Sequence, residues 1–235
     1  MISISAKDLG FKKLNEAIRA EKTCEITDLC GERFIAAGMS DKTIFLHGTP
    51  GNALCSYLNG AEVTVYGNAQ DAVGDTMNAG TVIIHGNVGD AAGYAMRGGK
   101  ILVKGNAGYR AGIHMKAYKD KIPVLVIGGT AGSFLGEYQA GGIIIVLGLN
   151  GGDIVGNFPC TGMHGGKMLL RSDCENVSFP KNVHARKIDD LSEFSDHIKE
   201  YCETFGFDQS KVLSSHFTLI EPDSSNPYKQ MYVTN

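Results

Sequence analysis

The chain repeats itself every 19 residues. Met39, Leu58, Met77, Met96 and Met115 stand at that spacing without a slip, and Gln139 and Met163 follow at intervals of 24. Three positions before these markers lie only small residues: Ala36, Cys55, Gly74, Gly93, Gly112, Gly136 and Cys160. Nine positions after most of them comes a closing glycine, Gly48, Gly67, Gly86 and Gly105, and after short insertions Gly128 and Gly148. Between marker and closing glycine runs a short apolar segment, as in Thr43 to His47, Glu62 to Tyr66, Thr81 to His85 and Lys100 to Lys104. Seven copies from residue 31 to about 172 describe a solenoid.

A five-residue run with apolar residues at its second and fourth positions is a strand with one buried face. The other 14 residues of each copy are glycine, small residues and turn formers, too glycine-rich for a crossover helix. Each copy is therefore expected to be one coil, its strand stacking on the next at ~4.8 Å. The fold class predicted is all-β: a right-handed single-stranded parallel β-helix of about seven coils, with small helical caps at both ends. No six-residue subperiod marks a left-handed coil. Glycine, at 31 of 235 residues, suits tight corners, where the small column faces the core and the closing glycines are expected to supply positive φ.

Open strand edges at the two ends of a stack need covering. Residues 1–30 read as an N-terminal cap, with Phe11, Leu14 and Ile18 at helical spacing and a strand near Thr23 to Thr27. Residues 31–172 are the coil, and 173–235 a C-terminal helix and extended arm. Asp190 is the expected helix N-cap and Gly206 the C-cap, with Leu191, Phe194, Ile198, Tyr201, Cys202 and Phe205 on one stripe. A net charge of −3 gives no electrostatic reason to expect nucleic acid. Without an 18-residue apolar stretch or a signal sequence, the reading is soluble and cytoplasmic. Six cysteines never fall into Cys-x-x-Cys spacing and read as reduced structural residues.

Gly93 to Lys100 has the flavour of a phosphate loop, but Lys100 opens a strand and no Ser or Thr follows it. Asn52, Asp71, Asp90, Tyr109, Ser133 and Asn157 form a column six before the marker. Side chains capping their own corners explain it better than a shared cation between Asp71 and Asp90. The row after the marker, Ser40, Asn59, Asn78, Arg97, Lys116, Ala140 and His164, is polar and expected to face outward. Arg97 and Lys116 should repel unless something anionic faces them. With His114, Glu137, Tyr138 and His164 they form the candidate partner interface. Gly74, Gly93, Gly112 and Gly136 are the structural corners. No catalytic, cofactor-binding or metal-ligating constellation stands out.

The motifs Gly48-Thr-Pro-Gly-Asn52, Gly67 to Gly74, Gly93 to Gly99, Gly108 to Met115, Phe134 to Tyr138 and Thr161 to Lys167, with Asn226-Pro-Tyr228 in the tail, resemble one family. They are similar to the C-terminal Gly-x-x-Gly-x-x-x-Gly β-helix domain of the glutamate synthase large subunit, in its stand-alone form. The β-helix subunit of formylmethanofuran dehydrogenase resembles the repeat alone.

The glutamate synthase resemblance implies a non-catalytic scaffold within a three-part enzyme. One partner is a glutamine amidotransferase subunit; the other is a flavin-dependent synthase subunit holding FMN and an iron–sulfur cluster. This chain is expected to hold neither group. N-methylglutamate synthase uses a similar subunit, and the two systems are not separable here. Gln139, Cys55 and Cys160 depart from the family pattern. The rivals are a homo-oligomer without partners and a free-standing lyase-type β-helix enzyme. The latter would need carboxylates on consecutive outward strand positions, where this chain has Thr43, Phe45, His47, Glu62, Thr64 and Tyr66.

Overall fold

The computed structural model describes residues 1–224 of the 235. The tail motif Asn226-Pro-Tyr228 and most of the expected extended arm lie outside the described residues. One 11-stranded sheet runs along the molecule. Its elements are β1 (Ile2–Ser5), α1 (Gly10–Ala20), β2 (Thr23–Cys30), β3 (Thr43–Thr49), β4 (Asn59–Tyr66), β5 (Ala79–Ile84) and β6 (Lys100–Val103). They continue with β7 (Val124–Ile127), β8 (Ala140–Val146), β9 (Gly165–Leu170), β10 (Val183–Ile188), α2 (Ser195–Phe205), α3 (Gln209–Leu213) and β11 (Phe217–Pro222). Neighbours from β1 to β9 pair in parallel, and β11 then pairs antiparallel with both β9 and β10. This is a β-solenoid of about eight turns, β2 adding a strand to the seven coils of the repeat.

The register explains the sequence columns. Ile44, Val63, Val82, Ile101, Leu125, Ile144 and Met168 align strand to strand and point inward, as do Leu46, Val65, Ile84, Val103, Ile127, Val146 and Leu170. The marker methionines share this core. Gln139 is fully buried in their column; its Nε2 donates to the carbonyls of Gly141 at 3.3 Å and Gly142 at 3.2 Å, while Oε1 has no partner among the described residues.

The closing glycines meet expectation only in part: Gly48 (φ 110°) and Gly148 (φ 57°) are left-handed, the others are not. Gly67, Gly86 and Gly105 are not in the left-handed region; a Cβ there would press on the carbonyl of the preceding closing glycine, at 2.6, 2.6 and 2.8 Å. Close backbone approach excludes a side chain there. Positive φ lies instead at one, three and five positions before every marker. Ala36, Cys55, Gly74, Gly93, Gly112, Gly136 and Cys160 have φ from 58 to 71°. The fifth closing glycine is also displaced by one: Gly129, not Gly128, aligns with Gly105, donating to its carbonyl at 2.8 Å.

The ends are not closed as the sequence suggests. Leu14 and Ile18 of α1 enter the solenoid core, as expected of an N-terminal cap. At the other end β11 and β10 extend the sheet, while α2 lies on the side of the coil. Its Phe194, Ile198, Tyr201 and Cys202 pack against the outward residues Leu102, Val124, Val126, Ile143 and Ile145. Asp190 is not the N-cap, because α2 begins at Ser195, with Phe194 preceding it; the Asp190 carboxylate accepts from the Ser192 N–H at 2.9 Å. Gly206 does close the helix, at φ 75°.

Candidate functional site

The outer turn face is built by the left-handed residues. In most coils the residues five and one before the marker face outward, as Tyr57, Arg110, His114, Tyr138 and Phe158 do, while the residue between them turns inward with the core; Gly38 and Gly162 have no side chain there and Ala53 is buried. The alternation is locked by hydrogen bonds in both directions. Phe134 and Tyr138 donate forward to the carbonyls of Asn157 and Thr161, both at 2.8 Å, and Gly136 donates back to Ala111 at 2.8 Å. A side chain on this face therefore rides on backbone fixed from two sides.

Among the expected interface residues, His114 and Tyr138 are brought together, stacked with ring centroids 5.2 Å apart and planes 9° from parallel. Tyr94 meets His114 edge-on at 5.9 Å. Tyr138 covers Gly162, where a Cβ would come within 2.5 Å of its ring. Glu137 is largely covered and paired with Arg110 at 3.0 Å. Arg97 and Lys116 are exposed and form no ion pair among the described residues. His164 is half-buried, its Nδ1 2.9 Å from the Gly162 carbonyl oxygen. His114 and Tyr138 stand one before their markers and Arg97, Lys116 and His164 one after, while Glu137, two before, belongs to neither row and faces Arg110.

Sequence reasoning missed the neighbouring row. Arg110 lies over the Phe134 ring at 4.9 Å, and Phe134 packs against Phe158, which is 63% exposed. The signal was the column five before the marker, which after Phe34 changes from Ala53, Ala72 and Ala91 to Arg110, Phe134 and Phe158.

The acidic column has a different role from the one expected. Asp71 Oδ1 accepts from the Asp90 N–H at 2.9 Å, and Asp90 Oδ1 from the Tyr109 N–H at 2.8 Å. Each side chain thus staples the next coil, not its own corner. Asn68, Asn87 and Asn106 form a second ladder of this kind. Burial pushes the Cys160 thiol up to about 12 and raises Cys55 further, so neither is a ready nucleophile or ligand. Among the described residues no group of His, Cys, Asp and Glu is placed to hold a metal ion.

The comparisons with known proteins agree with this architecture. The GXGXG motif matches residues 12–223. The chain belongs to the GXGXG motif family. This GXGXG chain is 42% identical to an uncharacterized protein of Methanocaldococcus jannaschii, over 98% of its own length and 96% of the relative's. A solved chain of the formyltransferase/hydrolase complex of Methylorubrum extorquens, in complex with methylofuran, has the same fold. Its TM-score is 0.64 at 22% identity, over 84% of the GXGXG chain and 72% of that chain. No helix among the described residues is long and apolar enough to cross a membrane.

Proposed function

We propose that this chain is the non-catalytic scaffold subunit of a glutamate synthase-type complex. It holds a glutamine amidotransferase subunit and a flavin-dependent synthase subunit in fixed relation, and FMN and the iron–sulfur cluster belong to the synthase partner. The observation that carries the reading is the motif series from Gly48 to Lys167, which runs in register along the coils and falls within the family match over residues 12–223. The turn face with Arg97, His114, Lys116, Glu137, Tyr138 and His164 is the surface offered to a partner. Rigid backbone keeps the ordering cost of such an interface low, and unpaired cations favour an acidic or phosphate-bearing surface opposite.

Co-expression with the two candidate subunits tests this. The expected result is a three-part complex that makes glutamate from glutamine and 2-oxoglutarate, with the chain inert alone. Arg97→Glu should leave the solenoid folded and weaken co-purification of the synthase subunit. Lys12→Glu is the control; Lys187 is unsuitable because it pairs with Asp173 at 3.0 Å. Turnover by the isolated chain, or wild-type assembly of Arg97→Glu, counts against the reading. Activity with methylamine in place of ammonia would shift it to N-methylglutamate synthase. A second reading, a counterpart of the β-helix subunit of formylmethanofuran dehydrogenase, is favoured by the likeness to the Methylorubrum complex chain. Recovery of formyltransferase-type partners would establish that one instead.

A further inference from the structure

Each coil is tied to its successor by the same backbone groups, and the last coil shows which of them go unanswered. Ala69, Val88, Ala107 and Ala131 bridge coil to coil, donating to the carbonyls of Asn87, Asn106, Thr130 and Ile154 at 2.9 to 3.1 Å. The next residue in this ladder is Val155, whose N–H and C=O have no hydrogen-bond partner among the described residues. In the turn, Phe134 and Tyr138 donate forward and the Leu135 carbonyl accepts from Cys160 at 2.8 Å. One coil on, the Phe158 N–H, the Pro159 C=O and the Gly162 N–H are again unpaired among the described residues. The strand side is different. There β11 pairs with β9, and Asn182 Nδ2 donates to the Met163 carbonyl at 2.8 Å. Among the described residues the end of the solenoid is sealed along its strand, and Cys174, Val177 and Phe179 pack against its core, while the backbone groups named from Val155 to Gly162 stay without partners.

A cleft of about 800 Å³ lies along the first part of this edge, from Val155 to Pro159, between residues 152–159 and 171–178. Val155 is only 6% exposed, so its polar backbone has been taken partly out of water without a partner among the described residues, which is unfavourable. The cleft is acidic. Arg171 is committed to the Leu147 carbonyl at 2.7 Å and Ser215 Oγ at 2.9 Å, and Asp173 to Lys187. Asp153 and Glu175 line the cleft without ion pairs among the described residues.

We infer that this edge is a docking groove for one extended segment of a partner polypeptide, held by backbone hydrogen bonds as one further partial coil. Open edges template such addition. The occupant spans about eight residues, the length from Val155 to Gly162. It carries a basic side chain opposite Asp153 and Glu175. A planar side chain lies on Phe158, as Arg110 lies on Phe134 one coil before. The inference rests on the proposed assembly only for the source of this segment.

The test is amide hydrogen exchange on the full chain, alone and with a synthetic peptide of the sequence Asn106 to Met115. That stretch is the chain's own coil with arginine at the required place. In the isolated chain the amides of Val155, Phe158 and Gly162 should exchange fast while those of Ala131, Phe134 and Tyr138 are protected. The peptide should slow the three roughly tenfold or more, and Asp153→Lys with Glu175→Lys should weaken peptide binding about tenfold. The same three amides should be protected in the purified assembly. Protection already present in the dilute isolated chain means the chain covers its own edge; protection that grows with protein concentration means a second copy does. Either result overturns the inference, as does a peptide without effect or three fast amides in an intact assembly. A peptide that protects while no synthase-type assembly forms supports the groove and removes the proposed function.

Discussion

The coils before residue 90 and those after it share an interior and differ on both outer faces. Along the strands, the outward column reads Phe45, Thr64 and Ile83, partly exposed, then Leu102, Val126, Ile145 and Leu169, all buried. The later residues lie beneath α2 and its flanking segments; the earlier ones run beside a ring stack, Tyr66 between His47 at 4.8 Å and His85 at 5.1 Å, that reaches α2 only at its end, where His85 meets Phe205 edge-on at 5.3 Å. On the turn face, Phe34 packs against Phe11 of the N-terminal helix, then alanines follow and give way to Arg110, Phe134 and Phe158. The repeat governs what points inward. What points outward is free to specialise, and here it makes the later coils the ones that meet other elements.

The largest break in that contrast should come from Ile198→Asp. Ile198 is fully buried in the layer under α2, and a carboxylate there should cost about 3–5 kcal/mol through lost burial and uncompensated charge. Hydrogen exchange should rise in β6 to β9 and not in β3 to β5; equal loosening of all coils would contradict the division. A smaller effect separates two corners. Gly93 and Gly112 share φ near 70°, but a Cβ at Gly112 lands on Ile144 Cδ1, while at Gly93 the nearest atom is Leu125 Cδ2 at 3.6 Å. Both alanine variants incur about 1–2 kcal/mol of left-handed strain. Gly112→Ala should lose about 1–3 kcal/mol more from overpacking, read by urea unfolding; equal losses would refute crowding as the cause.

The smallest effect is a pH dependence at the α2 junction. Burial, then Lys104, lowers the His85 pKa; burial, then Lys100, lowers that of His197. The folded state thus favours neutral rings, and the unfolded chain takes up protons first. The stability is fully present above the ordinary histidine value near 6.5 and is lost as pH falls below it. The melting temperature should drop by roughly a few degrees from pH 7.5 to 5.5. His85→Asn with His197→Asn should flatten that slope; an unchanged slope would remove these histidines as its source.

The interior was legible because every coil imposes the same demand, so Ile44 and its successors reveal themselves by period. The stripe on α2 showed that a face would be buried but not against what; helix amphipathicity carries no address. Asp71 could cap its own corner or the next coil, and only the stacking geometry decides. His114 and Tyr138 were found as neighbours because one coil separates them. Phe158 was not, because its column runs Phe34, Ala53, Ala72, Ala91 and Arg110 before Phe134 and shows no steady chemical character.

Two coils are five residues longer than the rest, around Tyr118 to Lys121 and Gly148 to Asp153, yet pairing continues across both, from Ile101 to Leu125 and from Ala131 to Val155. The extra residues leave the stack without shifting its phase. Length at these sites is therefore a nearly independent variable, since closing a longer loop adds only about 0.6 kcal/mol per doubling. They are natural sockets for engineering. A flexible affinity tag spliced between Lys119 and Asp120 should leave unfolding unchanged within about 1 kcal/mol, whereas the same tag between two strand residues such as Val126 and Ile127 would throw every later coil out of phase.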